Sequence, residues 1–137
     1  MTLVLDPRQR EAMRRHGETD YPREACGLIG GLVEDGRRVA VQVVPMRNPG
    51  DLPRNRYRID PDAFLRAERQ LDRDGLEIVG VYHSHPDAPA RPSTYDRDCA
   101  WPSLSYVIVA VAAGKAQELH SWTLAADRAS FTEEDLI

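Results

Sequence analysis

Within fourteen consecutive positions stand His83, His85, Ser93 and Asp96, side chains able to hold a metal ion and to work beside it. They lie in the run His83-Ser84-His85-Pro86-Asp87-Ala88-Pro89-Ala90-Arg91-Pro92-Ser93-Thr94-Tyr95-Asp96, which reads H-x-H, seven residues, S, two residues, D. Two imidazoles and one carboxylate are three protein ligands for zinc. Three ligands leave a tetrahedral ion one open position for water, the arrangement of catalytic rather than structural zinc. Zinc lowers the pKa of that water to about 7, so hydroxide becomes available near neutral pH. A base to take the water's proton is still needed, and Glu24 in Arg23-Glu24-Ala25-Cys26-Gly27 is the candidate. With the composition of this chain the pattern arises by chance on the order of 5 times in 10,000.

The surrounding sequence has to form elements that position these groups. Leu76 to Tyr82 is an apolar run of strand length, consistent with a central strand buried on both faces. Residues i and i+2 of a strand share a side, so His83 and His85 face one point and Ser84 points the other way, into structure. Pro86, Pro89 and Pro92 stiffen the segment that follows and return the chain toward the histidines at Ser93 to Asp96, which reads as a helix start. Ser-x-x-Asp is also close to a capping box, in which Ser93 caps a helix and Asp96 reaches back. The histidine pair favours ligation by Asp96.

Elsewhere, Asp6-Pro7 opens a helix running to about His16 and stopping at Gly17, with a thin apolar face. His16 reads there as a surface residue. Ala25 to Val33 is a buried strand, Asp35-Gly36 a hairpin turn, and Arg38 to Val44 an alternating second strand. Met46 to Arg56 reads as a loop that could lie along a substrate groove. Asp60-Pro61 starts a second helix with an apolar stripe at Phe64, Ala67 and Leu71, stopped by Gly75. Strands follow at Ser105 to Ala112, Glu118 to Leu124 and, briefly, Ala129 to Phe131. His120 reads as structural. This order predicts a single domain over residues 1–137 of mixed α/β class, with helices packed on one sheet.

Glu24 together with His83-x-His85-x7-Ser93-x2-Asp96 resembles the JAMM motif of the MPN+ metalloprotease family. Glu24-Ala25-Cys26-Gly27-Leu28-Ile29-Gly30-Gly31 and Gly80-Val81-Tyr82-His83-Ser84-His85-Pro86 are similar to the family's two central segments. The similarity runs from about residue 3 to 133 and is strongest to the short bacterial members, some of which process ubiquitin-like sulfur-carrier proteins. The resemblance implies an MPN/JAB fold, a curved sheet flanked by helices and similar to the cytidine-deaminase-like fold. It implies one zinc ion per chain on His83, His85 and Asp96, with Glu24 as general base and then acid, and Ser93 as donor to the developing oxyanion. It further implies hydrolysis of the amide bond after the Gly-Gly terminus of a ubiquitin-like or sulfur-carrier protein. The tail would lie extended, pairing with a strand edge, near Arg56, Tyr57 and Arg58. Two other readings stay open: a zinc amidohydrolase acting on a small peptide-like substrate, and a non-catalytic MPN scaffold. The deaminase signature H-x-E…P-C-x-x-C is absent.

Bulk properties narrow the partners. A formal charge of −4 argues against nucleic acid or an anionic membrane. No apolar stretch approaches a membrane span, and the first residues lack a secretory signal. Two cysteines, Cys26 and Cys99, are too few for a disulfide framework and fit a reducing cytoplasm. Cys26 reads as a small buried hydrophobe. Cys99, one turn after Asp96, is a further thiolate within conceivable reach of the metal. Tyr95 and Asp98 are candidates for orienting the ligands. A homodimer is compatible with the sequence.

Overall fold

The computed structural model describes residues 1–49 and 52–137. In chain order the elements are β1 (Thr2–Val4), α1 (Pro7–Asp20), β2 (Cys26–Glu34), β3 (Arg37–Met46), α2 (Pro61–Arg73), β4 (Glu77–Pro86), α3 (Thr94–Cys99), β5 (Ser105–Ala112), β6 (Lys115–Leu124) and β7 (Phe131–Leu136). The strands form one sheet in the order β1-β3-β2-β4-β5-β6-β7, which closes into a barrel by parallel pairing of β1 with β7. The mixed α/β class and the curved sheet with helices are as expected. Closure is an addition, made by a strand of three residues that is too short to carry a pattern. β1 pairs with β3 only at Arg37 to Val39, so the rest of β3 toward Met46, opposite Cys26, has no strand partner on its outer side among the described residues.

β4 is the organising strand. It pairs antiparallel with β2 on one side and parallel with β5 on the other. Parallel neighbours need a crossover, and this one contains α3, so the chain leaving β4 passes over that strand's C-terminal end. Alternation along β4 feeds two cores. Tyr82 joins Met13, Val107 and Val109 in one, while Val81 joins Leu28, Tyr106, Phe64 and Ala67 in the other. Full burial of one such aliphatic side chain stabilises by about 1.5–3 kcal/mol.

Both Asp-Pro helix starts are present. Asp6 and Asp60 accept from Gln9 N and Ala63 N, and each helix has Pro in its first turn. Asp35 and Gly36 both take positive φ, 52° and 73°, as a two-residue hairpin turn requires. The end of α1 differs from expectation: the helix runs through Gly17 to Asp20. Gly17 serves contact rather than termination. A Cβ there would lie 3.1 Å from Val111 Cγ2 and 3.2 Å from Ser84 Cβ, so its absence lets α1 sit close on β4 and β5. β7 also differs, spanning Phe131–Leu136 beyond the short strand expected. Its acidic Thr132-Glu133-Glu134-Asp135 run masks a strand whose Glu134 points inward, hydrogen-bonded by Ser121 Oγ at 2.7 Å.

Candidate metal centre

Strand alternation at the end of β4 brings two imidazoles to one point. His83 and His85 are both buried, and their Nε2 atoms lie 3.1 Å apart. From α3, Asp96 Oδ2 lies 3.1 Å from His85 Nε2 and 3.3 Å from His83 Nε2. Zinc–ligand bonds of about 2.0–2.1 Å at tetrahedral angles put the ligand atoms about 3.3 Å apart, so the observed triangle fits one zinc ion. The tautomer fits too. His85 Nδ1 is 2.8 Å from the Pro89 carbonyl, which can only accept, so Nδ1 donates and Nε2 is the ring nitrogen turned toward Asp96 and His83.

The capping reading of Ser93 and Asp96 holds, and the same cap brings Asp96 to the histidines. Ser93 is the N-cap of α3: its Oγ accepts from Asp96 N at 3.1 Å, and Asp96 Oδ2 accepts from Ser93 N at 2.8 Å. The cap holds the carboxylate in the position from which its Oδ2 reaches both imidazoles. Burial alone would raise the Asp96 carboxyl, but the His83 charge and the hydrogen bonds from both imidazoles and Ser93 N outweigh it. They hold Asp96 well below the usual carboxylate range. Ser93 is exposed, and accepting through Oγ leaves its hydroxyl hydrogen for an incoming oxygen.

Glu24 arrives from far away in sequence because β2 is antiparallel to β4, with Cys26 opposite His83. It is 3% exposed, and a carboxylate oxygen lies within 4.8 Å of a nitrogen of each histidine. Its Oε1 has no hydrogen-bond partner among the described residues. Burial pushes its pKa up to about 8, against the lowering influence of His85. Burial also keeps His83 below the ordinary imidazole value. The pKa values of two neighbouring carboxyls are thus driven apart, that of Asp96 down and that of Glu24 up.

The segment between β3 and α2 crosses over this cluster. The Tyr57 ring stacks on the His83 ring, with centroids 4.5 Å apart and planes at 24°. Arg56 lies over the Tyr95 ring at 4.7 Å, and Tyr95 Oη donates to the Tyr57 carbonyl at 3.4 Å. Arg23 holds the segment through the Pro49 and Leu52 carbonyls, at 3.3 and 3.1 Å. A cleft of about 300 Å³ opens between this segment and α3, lined by Glu24, His85 and Ser93 together with Arg56, Ala88 and Tyr95.

The remaining sequence candidates sort clearly. Tyr95 touches the segment over the cluster, through the Tyr57 carbonyl as above. Asp98 does not: its recorded ion pair is with Arg97, at 3.8 Å on the surface. Cys99 is exposed and outside the cluster, and Cys26 is buried, its thiol pushed up to about 12 by burial. His120 pairs with Glu133 at 2.9 Å on the outside. His16, expected on the surface, is instead bonded through Nδ1 to Tyr82 Oη at 2.7 Å and through Nε2 to Asp20 at 3.2 Å. Tyr57 as the stacking partner of His83 was not legible, because nothing local to Arg56-Tyr57-Arg58 points to a histidine on another strand.

Residues 6–125 match the family described as prokaryotic homologs of the JAB domain. Among curated proteins, the chain is 34% identical over 124 residues to the CysO-cysteine peptidase of Mycobacterium tuberculosis, covering 89% of this chain and 82% of that protein. It is 32% identical to the desampylase of Haloferax volcanii, covering 76% and 73%. It is 38% identical to a probable TtuB-protein conjugate cleaving protease of Thermus thermophilus, covering 72% of this chain and 63% of that protein. Among solved structures, a Desulfitobacterium hafniense protein superposes with a TM-score of 0.85 at 34% identity, covering 100% of this chain and 92% of that one. A JAB1/MPN domain protein of Archaeoglobus fulgidus shares the fold, with a TM-score of 0.58 at 17% identity over 100% of this chain and 99% of that one. With the motif, the cluster and the fold in agreement, the chain belongs to the family of prokaryotic JAB-domain homologues and is a JAMM-type hydrolase.

Proposed function

We propose that residues 1–137 form a single zinc metallopeptidase domain that hydrolyses the amide bond after the Gly-Gly terminus of a ubiquitin-like or sulfur-carrier protein. One observation carries the chemistry: His83 Nε2, His85 Nε2 and Asp96 Oδ2 converge at 3.1–3.3 Å beside an unpartnered, buried Glu24 Oε1. In this reading the three converging atoms are the ligands of one zinc ion, and Glu24 stands beside them. Zinc held there supplies Lewis acidity, polarising an amide carbonyl and lowering the pKa of a water molecule. Glu24 takes a proton from the attacking water and returns it to the leaving amine. Burial makes the Glu24 carboxylate more basic than an exposed one, which favours its holding the proton between the two halves of that cycle. The Ser93 hydroxyl donates to the carbonyl oxygen as it gains charge, a contribution of roughly 3 to 4 kcal/mol for one good donor. Tyr57 covers the outer face of His83 and keeps water from that side.

The substrate class is supported by the names of the relatives, a probable TtuB-protein conjugate cleaving protease, a desampylase and a CysO-cysteine peptidase. The cleft supports it as well. It opens onto Glu24, His85 and Ser93, and at about 300 Å³ it is at the small end of ligand sites. A cytoplasmic location belongs to the same proposal, supported by two unpaired cysteines. No described helix is long and apolar enough to cross a membrane. A homodimer is also part of the proposal, with Leu32, Val33 and Val41 exposed on the β2–β3 hairpin in its favour. Sedimentation of the purified chain tests it.

The decisive experiment is intact-mass analysis of a ubiquitin-like carrier extended beyond Gly-Gly, incubated with zinc-loaded wild type and with Glu24→Gln. The expected result is a shift to the mass ending in Gly-Gly with wild type alone. Turnover of free dipeptides but of no carrier from the same organism would replace this reading with a small-amide hydrolase. Asp96→Ala should lower zinc affinity; unchanged zinc binding would remove Asp96 from the ligands.

A further inference from the structure

The Glu24 carboxylate has one oxygen without a hydrogen bond, so something other than its own contacts must hold it at the histidines. The peptide group joining Glu24 to Ala25 is buried and lies just outside the β2–β4 ladder, which begins at Cys26 and His83. Both of its polar atoms are satisfied by side chains. The Glu24 carbonyl accepts from Asn48 Nδ2 at 2.9 Å, and the Ala25 N–H donates to Ser84 Oγ at 2.8 Å. Holding a peptide group at its carbonyl and its N–H fixes the backbone rotation next to the Glu24 side chain, and with it the direction in which the carboxylate leaves the chain.

We infer that Asn48 and Ser84 are positioning residues for Glu24, acting by clamping the Glu24–Ala25 peptide group from its two ends. The inference rests on the proposed role of Glu24 as acid–base group. Each clamp is itself fixed. Ser84 stands between the two histidines on β4 and faces the opposite side of the sheet, where the missing Cβ of Gly17 makes room for it. Its own N–H donates to the Ala25 carbonyl at 3.0 Å, so Ser84 and Ala25 are joined twice. Asn48 Nδ2 donates also to the Arg56 carbonyl at 3.1 Å, and its Oδ1 accepts from Arg58 N at 3.2 Å. One amide therefore ties Glu24 to the segment that stacks Tyr57 on His83 and places Arg56 at the cleft. The strand that carries the ligands and the segment that covers them both report their position to the same peptide group.

A displacement of about 1 Å of a catalytic group costs about 100-fold in rate. In the zinc-loaded full chain, Ser84→Ala and Asn48→Ala should each lower kcat about 10- to 100-fold, with KM and zinc affinity held within about threefold. Asn48→Asp keeps the acceptor for Arg58 N but faces two carbonyls with a carboxylate, and should resemble Asn48→Ala. In a Glu24→Gln background the same substitutions should change the residual rate less than about twofold, because residues acting through Glu24 have nothing left to position. Equal losses in both backgrounds, zinc affinity falling in step with kcat, or an unchanged kcat would each overturn the inference.

A second arm is independent of substrate. In crystal structures of zinc-free Ser84→Ala and Asn48→Asp, the Glu24 carboxylate should leave its place while His83, His85 and Asp96 keep theirs. A Glu24 that stays put in both variants overturns the inference whether or not any carrier is cleaved. A wild type inactive on every amide overturns the functional reading and leaves this arm to decide.

Discussion

Two clusters of buried charge lie toward opposite ends of the paired strands β4 and β5, and they are built on opposite principles. At the end where His85 pairs with Ala110, the groups are His83, His85, Asp96 and Glu24. At the end where Ser105 pairs with Gly80, the groups are Arg38 and Glu134 with serines around them. The second cluster is closed on itself. Arg38 Nη1 donates to Ser105 Oγ at 3.1 Å, Nη2 to the Ser103 carbonyl at 3.0 Å, and the guanidinium faces Glu134 at 3.7 Å. Ser121 Oγ completes it on Glu134 Oε1. Opposite charges face each other there, so no outside ion is required, even though Glu134 Oε2 accepts no hydrogen bond among the described residues. The first cluster gathers two carboxylates and two imidazoles with no buried Arg or Lys among them, and Glu24 Oε1 and His83 Nδ1 are left without partners. Buried carboxylates without a cationic side chain call for a cation from outside. The difference teaches that burial and unpartnered atoms alone do not mark a site; the balance of charge within the cluster does.

The sharpest way to break this contrast is Glu24→Gln, which removes the acid–base group and keeps the ligands. The expected loss in kcat is about 100- to 10,000-fold at unchanged zinc stoichiometry, read by single-turnover mass analysis. At the other end, Arg38→Met should leave Glu134 buried without its counter-charge and cost about 3–5 kcal/mol in urea unfolding. Arg38→Met combined with Glu134→Leu should recover most of that loss. A double variant as unstable as the single would show that the cluster does more than close on itself.

The third test uses pH on the zinc-free protein. The Glu24 pKa is about 8 in the folded chain against about 4.5 when exposed, so between those values the folded state binds more protons. Stability then falls as pH rises through that window, and the wild-type loss relative to Glu24→Gln should be on the order of a few kcal/mol. Zinc should flatten the difference, since a nearby cation favours the ionised carboxylate. Identical pH profiles for the two proteins would contradict the buried, basic Glu24 described above. The smallest effect is expected for Tyr57→Leu, which removes the ring stacked on His83. Zinc affinity measured against a chelator should weaken about 10- to 100-fold, the range for groups that orient a ligand without touching the metal.

Legibility in the sequence followed locality. The convergence of His83, His85 and Asp96 was readable because His83 and His85 are two residues apart on a strand, and Ser93 and Asp96 are a helical cap apart, so backbone geometry alone points each pair one way. Both Asp-Pro helix starts and the Asp35-Gly36 turn were readable for the same reason: each is a short stretch whose conformation is set by its own side chains. The role of Glu24 came only from resemblance, since no spacing links it to β4 until β2 is laid antiparallel beside that strand. Gly17 misled, because a glycine near a helix end signals a stop unless the neighbouring strand is known to press against it.

By itself the sequence determined the class of fold, the strand that carries the histidines, the meeting of the H-x-H and S-x-x-D groups, and the family to which the chain belongs. Tertiary structure alone decided where Glu24 stands, that Tyr57 backs His83, that Asn48 and Ser84 grip one peptide group, and that β1 and β7 close the sheet. The physical reason is the range of the forces involved. Cap, turn and strand preferences act over two to four residues and are written in adjacent letters, whereas a contact between strands depends on register and topology, which belong to the whole chain.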